Sequence, residues 1–243
     1  MTIPLKIIKK QDIETIPNQE AVWNAIAKPW KTYVVKTIPI IEEFLKPQKS
    51  KIFGSRKSID FPRNKKGKVI DLGCGTGRNM IPNPNIEYHG VDFSEGQLKQ
   101  ARKYIKKNKI KAKLYKSSAD NLEQFKNDTF DYGLFIATLH CIETKEKRKK
   151  ALEEFYRVLK NNSQSLISIW DSRDKRFNHV NNQGDIYMSW KENNIPYMRY
   201  YYLFQKQEFL DLLKNVGFKI QKFYKPKEHD RFSKKNWIIK IEK

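Results

Sequence analysis

Val69-Ile70-Asp71-Leu72 is a short apolar run that enters the turn Gly73-Cys74-Gly75-Thr76-Gly77 without a break. Alternating glycines let a backbone turn tightly and approach a ligand closely, so this one segment predicts both a buried strand and a ligand-binding edge. Further apolar runs follow at 86–91, 112–115, 132–136 and 165–170. Segments 97–107 and 145–160 between them carry helical spacing, the second with an apolar stripe of Ala151, Leu152, Phe155, Val158 and Leu159. Strands that alternate with helices predict an α/β fold around a parallel sheet.

The flanks are organised differently. Two helices are predicted ahead of the first strong strand, over 19–27 and 37–45, the latter with Ile38, Ile41, Phe44 and Leu45 on one face, and together they read as a lid. Residues 46–68 are a Lys/Arg/Ser/Gly stretch broken by Pro47 and Pro62, with the composition of a long mobile loop. After Asp171 the pattern predicts an irregular stretch to Tyr202, then a helix over 206–215 stopped by Gly217, and closing strands at 218–224 and 236–241. A single domain is expected, with a lid and basic loop (1–67), a cofactor-binding core (68–171) and a substrate-recognition insertion with closing strands (172–243). A chain of 243 residues can bury an ample core in one unit.

Composition narrows the surroundings. No apolar run approaches the ~20 residues of a membrane span, and the first ten residues lack the apolar core of a secretory signal, so a cytoplasmic protein is expected. Two cysteines, Cys74 and Cys141, are too few for a disulfide framework or a metal site. The 49 Lys and Arg against 27 Asp and Glu, a net +22, favour a polyanionic partner. Basic tracts at 46–68, 102–116 and 145–150 are the candidate contacts, against the plainer reading of a lysine-rich surface set by a biased genome.

The acids at successive strand ends carry the chemistry. A dinucleotide fingerprint has a different glycine spacing and meets a pyrophosphate, whereas Asp71 ahead of this turn suits the positively charged portion of an amino acid. Asp92 ends the second strand about twenty residues further on, where an acid can take both hydroxyls of a ribose. Ser94 caps the next helix, Asp120 is placed to reach an adenine amino group, and Leu122 to pack on its ring. With Gly73, Cys74, Gly75, Gly77, Phe93, Ala119 and Ala137 they predict one crevice for S-adenosylmethionine.

These segments resemble the class I S-adenosylmethionine-dependent methyltransferases. That resemblance implies a Rossmann-like fold, a seven-stranded mostly parallel sheet with helices on both faces and a C-terminal antiparallel hairpin. A second set narrows it: Ala137-Thr138-Leu139-His140, Ser168-Ile169-Trp170-Asp171, Asp185-Ile186-Tyr187-Met188-Ser189-Trp190-Lys191 and Arg199-Tyr200-Tyr201-Tyr202-Leu203-Phe204. In this order, with Val22-Trp23-Asn24-Ala25-Ile26-Ala27 near the start, they resemble the tRNA wobble-uridine (5-carboxymethyluridine) carboxyl methyltransferases of eukaryotes and archaea. The resemblance implies a tRNA anticodon arm as substrate, His140, Trp170 and Arg199 in the acceptor pocket, and Lys28, Trp30 and Tyr33 closing over the cofactor. It also implies a small zinc-binding activator protein that adds a strand beside the third strand of the sheet. Two departures stand out: the family has a His pair where this chain has His140-Cys141, and a His where it has Tyr202. Tyr200, Tyr201 and Tyr202 are candidates either for stacking on unpaired anticodon bases or for core packing. The competing readings are a small-molecule methyltransferase of the quinone or sterol biosynthetic kind, and a catalytically silent RNA-binding protein of the same fold.

Overall fold

A computed structural model describes residues 6–33, 36–45, 66–192, 195–227 and 230–243. In chain order the elements are β1 (Ile7–Lys9), α1 (Gln19–Tyr33), α2 (Pro39–Leu45), β2 (Gly67–Leu72), β3 (Ile86–Asp92), α3 (Glu95–Asn108), β4 (Ala112–Lys116) and β5 (Phe130–Ile136). There follow α4 (Lys145–Val158), β6 (Leu159–Trp170), β7 (Gly184–Glu192), β8 (Ile195–Leu203), α5 (Lys206–Val216), β9 (Lys219–Tyr224), α6 (Arg231–Lys235) and β10 (Asn236–Glu242).

Seven strands form the main sheet in the order β4-β3-β2-β5-β6-β10-β9, as the resemblance implies. β2 pairs in parallel with both β3 and β5, so the strand order reverses at β2 and opens a crevice at its carboxyl end. β10 pairs antiparallel with β6 and β9, giving the expected closing hairpin. Alternate residues of β2 enter two separate cores: Ile70 and Leu72 join Phe155 of α4 and Phe209 of α5, while Val69 joins Ile41 and Phe44 of α2 and Leu98 of α3. A strand covered on both faces reads as a continuous apolar run, which is why Val69-Ile70-Asp71-Leu72 is legible. Caps set the helix ends. The Ser94 hydroxyl accepts from the Gln97 N–H at 3.2 Å, Thr144 caps α4 from the Lys147 N–H at 3.1 Å, and Gly217 ends α5 at φ +114°.

The expectation of an irregular stretch from Asp171 to Tyr202 is overturned. β7 and β8 pair antiparallel over their full lengths, and β1 adds to β7 to complete a second, three-stranded sheet. The centre of this sheet is buried on both faces: Ile186, Met188 and Tyr201 enter one cluster, while Tyr187 and Tyr200 pack edge to face on the other side. With both faces covered, the period-two alternation that marks a half-buried strand is lost.

Helix α1 runs six residues beyond the predicted 19–27 segment and packs on α3 and β8. Residues 46–65, most of the predicted basic loop, lie outside the described residues. Among the described residues no helix is long and apolar enough to cross a membrane.

Candidate functional site

A crevice opens where β2, β3 and β5 end, roofed by α1. Its floor is the glycine turn. Gly73, Gly75 and Gly77 all adopt positive φ, and a Cβ on Gly73 would stand 2.2 Å from the Thr138 methyl. Gly75 has nothing nearer than the Gln97 Oε1 at 3.8 Å, so this backbone faces open space. Asp92 holds the turn: one carboxylate oxygen accepts from the Gly75 N–H at 2.8 Å and the other from the Ser94 N–H at 2.9 Å. Burial raises its pKa to about 6 against those two bonds.

The roof is positioned by two side chains. The Asn24 amide oxygen accepts from the Ser94 hydroxyl and the Gly96 N–H, both at 2.8 Å, fastening α1 to the start of α3. Gln19 takes the place of a strand neighbour for β8, accepting from the Tyr200 N–H at 2.9 Å and donating to the Met198 carbonyl at 3.2 Å. Gln19, Trp23 and Trp30 then share one face of α1 and line the crevice, because spacings of four and seven residues return to the same side of a helix.

Asp71, also expected to hold the cofactor, lies under the turn behind the crevice lining, fully buried, with neither carboxylate oxygen hydrogen-bonded to another described residue. Desolvation, then the Asp92 charge, raises its pKa to about 7, and Arg78 pulls the other way. Burial likewise lowers Arg78 to about 10. Both polar atoms of Gln97 and the Asn79 carbonyl oxygen are also buried without partners, and these residues line the crevice with Arg78. Buried polar groups in native proteins are nearly always paired, so this concentration of orphans marks a place for a polar ligand.

A pH prediction follows. The folded chain binds the Asp71 proton more tightly than the unfolded chain, so its contribution to stability is complete below about pH 4 and is lost as pH rises through about 7. A cationic ligand group beside Asp71 favours its ionised form. Affinity should therefore rise from pH 5 to pH 7, with proton uptake by buffer visible in calorimetry across buffers of different ionisation heat, and Asp71→Asn should remove that proton release. A pH-independent affinity with no proton released would exclude Asp71 from contact with a cation.

Of the residues expected to hold a cofactor, Gly73, Cys74, Gly75, Asp92, Phe93, Ala119, Ala137 and Trp30 line the crevice. Gly77 faces α3, with a Cβ position 3.3 Å from that of Ala101, and Ser94 is committed to its cap. Several placements are corrected. Leu122 is fully buried in the core beneath α4, its N–H donating to Glu154 at 3.0 Å, so it does not line the crevice to pack on a ring there. Asp120 accepts from the Ser118 hydroxyl and stands outside the crevice wall, which Ser117, Ser118 and Ala119 provide. Lys28 projects from the solvent face of α1, and Tyr33, largely exposed, is outside the lining and touches it only through Trp30.

The acceptor-side residues also redistribute. His140 is 1% exposed and packs between Trp170 (centroids 4.8 Å) and Tyr201 (5.8 Å), away from the crevice lining. Desolvation, with Arg176 nearby, drives its pKa to about 3, so the ring is neutral near pH 7, with Nδ1 buried and unpartnered. Trp170 stacks on Tyr201 at 4.0 Å in the same cluster. Tyr200 and Tyr201 are buried, and Tyr202 hydrogen-bonds Glu208 at 2.7 Å beneath the Arg148 guanidinium, so the core reading of the tyrosine trio holds. Arg199, like His140 and Trp170, is not among the crevice-lining residues, but its surroundings differ. Its guanidinium is ringed by Trp30 (5.2 Å), Trp190 (5.3 Å), Tyr201 (5.5 Å) and Trp23 (6.0 Å), and two of those rings, Trp23 and Trp30, line the crevice. It is 4% exposed, donates only a long 3.4 Å bond to the Ser189 carbonyl, and leaves Nε unpaired. No carboxylate of the described residues lies within ion-pair distance of it.

The sequence reading missed Gln19, Trp23, Asn79 and Gln97 as crevice residues, and Cys141 too, which lines the wall where a histidine was anticipated. Asn79 sits just past the glycine turn and Gln97 at the third position of a capped helix, so proximity to the motif was the available signal. Nothing local marks Gln19 or Trp23, because α1 reaches the crevice only through the tertiary fold.

Comparison with known proteins agrees with this geometry. Residues 63–228 match the family model described as "Methyltransferase domain". A Saccharomyces cerevisiae protein named tRNA (carboxymethyluridine(34)-5-O)-methyltransferase is 29% identical over 173 residues, covering 70% of this chain and 54% of its own length. A Schizosaccharomyces pombe protein of the same name is 26% identical over 247 residues, covering 91% of this chain and 94% of its own. The chain thus spans about half of the first relative and nearly all of the second. Among solved structures, a Burkholderia thailandensis 1,6-didemethyltoxoflavin-N1-methyltransferase with bound S-adenosylhomocysteine shares the fold at TM-score 0.65 and 13% identity, over 98% of this chain and 94% of that one. A SAM-dependent methyltransferase from Methanosarcina mazei does so at TM-score 0.62 and 19% identity, over 86% and 99%. With two thirds of its length matched by the family model and the crevice at the sheet's reversal point, this chain belongs to the methyltransferase domain family.

Proposed function

We propose that this chain is an S-adenosylmethionine-dependent methyltransferase that esterifies the carboxylate of 5-carboxymethyluridine at the wobble position of tRNA. The observation that carries the acceptor assignment is Arg199, a buried cation with no anion beside it among the described residues, set against the aromatic roof of the crevice. Burying an unpaired charge costs several kcal/mol, on the order of what a bound carboxylate would offset. A Schizosaccharomyces pombe relative that aligns with 91% of this chain and carries the carboxymethyluridine name supports the same acceptor.

The residues present fit the cofactor. The glycine floor is bare where a backbone must meet a ligand, Asp71 is an orphaned carboxylate suited to an ammonium, and Asp92 keeps lone pairs free for ribose hydroxyls. When bound, S-adenosylmethionine supplies an electrophilic methyl group on a positively charged sulfur. The remainder of the work is positioning. A carboxymethyl group ionises near the Asp and Glu side-chain values of ~4, so the acceptor oxygen is already an anion at neutral pH and no general base is needed. That removes any demand on His140. The Arg199 guanidinium is a rigid fork that can hold a carboxylate by two parallel hydrogen bonds and fix its line of approach. Trp23 and Trp30 on the roof limit water around the two opposite charges.

The net charge of +22 fits a polyanionic substrate, and a cytoplasmic location goes with this reading. A partner goes with it too: among the described residues β4 is one edge of the main sheet, and a strand from a small zinc-binding activator protein would extend it. The test is to incubate the chain, alone and with the activator, with labelled S-adenosylmethionine and tRNA bearing 5-carboxymethyluridine, and to analyse the digested nucleosides by mass spectrometry. The methyl ester is expected. Its absence under both conditions, with cofactor binding demonstrated, would discard the wobble-uridine acceptor in favour of a small-molecule one.

A further inference from the structure

We infer that Trp30, Tyr33 and Trp190 form a stacking subsite at the crevice mouth for an unpaired nucleobase next to the acceptor nucleotide. This rests on the RNA reading of the crevice. The three rings are in mutual contact: Trp30 to Trp190 at 5.5 Å, Trp30 to Tyr33 at 5.9 Å and Tyr33 to Trp190 at 5.7 Å. Trp190 meets both neighbours at steep angles, 64° and 82°, so the three rings do not close into a parallel stack. Three large apolar side chains among the described residues are more than half exposed, and Tyr33, at 63%, is the one that joins the crevice aromatics. The Trp190 indole N–H is buried and unpartnered, a second polar group at this mouth awaiting an acceptor.

Continuity with the crevice selects the occupant. Trp30 both lines the crevice and touches the Arg199 guanidinium, so the aromatic group begins where the acceptor carboxylate would end. An acceptor base that enters the crevice remains covalently joined to its neighbours, which must lie at the mouth. Unpaired bases are held by stacking on aromatic side chains, and every base offers a π-face, so the subsite tolerates different neighbours. The tyrosine trio cannot take this role, since Tyr200 and Tyr201 are buried.

The experiment uses an anticodon stem-loop with 2-aminopurine beside the wobble position, titrated with the full chain. Stacking should quench the fluorescence. Tyr33→Ala should abolish most of the quench and raise the tRNA KM about tenfold, in line with what one aromatic–base stack contributes. Tyr33→Phe should behave as wild type, because the π-face is retained, and the cofactor Kd of both variants should move by less than twofold. A wild-type chain that binds the stem-loop without quenching, or an unchanged KM in Tyr33→Ala, overturns the subsite. So does an effect of Tyr33→Ala confined to self-association or to capture of a protein partner. Binding of the unmodified stem-loop needs no methyl transfer, so loss of the acceptor assignment and loss of the subsite are read separately.

Discussion

Arg199→Met is expected to lower ester formation by 10²-fold or more, about 3 kcal/mol, while leaving cofactor affinity and the melting temperature at or above wild type. The two halves of this result have one cause. Arg199 is 96% removed from solvent and is met by four aromatic rings and one long hydrogen bond rather than by a described carboxylate. Each ring contributes on the order of 0.5–1 kcal/mol of cation–π attraction, against a desolvation cost of several kcal/mol for the buried charge. Methionine fills the same channel with a flexible, polarisable chain and carries no charge to desolvate. Activity measured with a carboxymethyluridine substrate and a thermal melt decide the matter together. A melting temperature that falls with activity would make Arg199 structural, and retained activity would remove it from the acceptor site. Arg199→Lys should recover part of the rate, since the charge survives and the two-pronged geometry does not.

Asp92→Asn should weaken S-adenosylmethionine binding tenfold or more and destabilise the cofactor-free chain by about 1–3 kcal/mol, the cost of a buried polar group without a partner. The carboxylate accepts from two backbone donors on opposite sides, the Gly75 N–H and the Ser94 N–H. An amide has one oxygen, so its NH₂ group must face the other N–H. Either the glycine turn loses its hold at φ +53° or α3 loses the anchor of its capping residue. The same change removes the negative charge that a ribose would meet. Calorimetric titration with cofactor and a melt of the free protein separate the two effects. An unchanged affinity would show that Asp92 organises the turn without touching the ligand.

How far the sequence reached depended on where each signal was stored. The glycine turn and the acids flanking it were legible because Asp71 follows a continuous apolar run on a strand buried on both faces, and because Asp92 ends the next strand at a short, local spacing. The α3 and α4 helices and the closing hairpin were read within a few residues for the same reason. The β7–β8 sheet was not, since its two covered faces erase alternation and its third strand, β1, comes from about 180 residues away. His140 illustrates the limit of reading roles from order alone. It follows β5, and the short turn that carries it points the ring into the cluster of Trp170 and Tyr201, where burial keeps it neutral. Leu122 likewise sits in the core, while its backbone N–H donates to Glu154 on α4.

The sequence by itself determined the parallel sheet, the glycine floor and the strand-end acids, because these depend on neighbours a few residues apart and on burial patterns written along single strands. Only the tertiary structure decided what closes the crevice. The roof from α1, the aromatic ring around Arg199 and the Gln19 and Asn24 fastenings join segments up to about 180 residues apart, and their pairing is set by register and packing that no local pattern encodes.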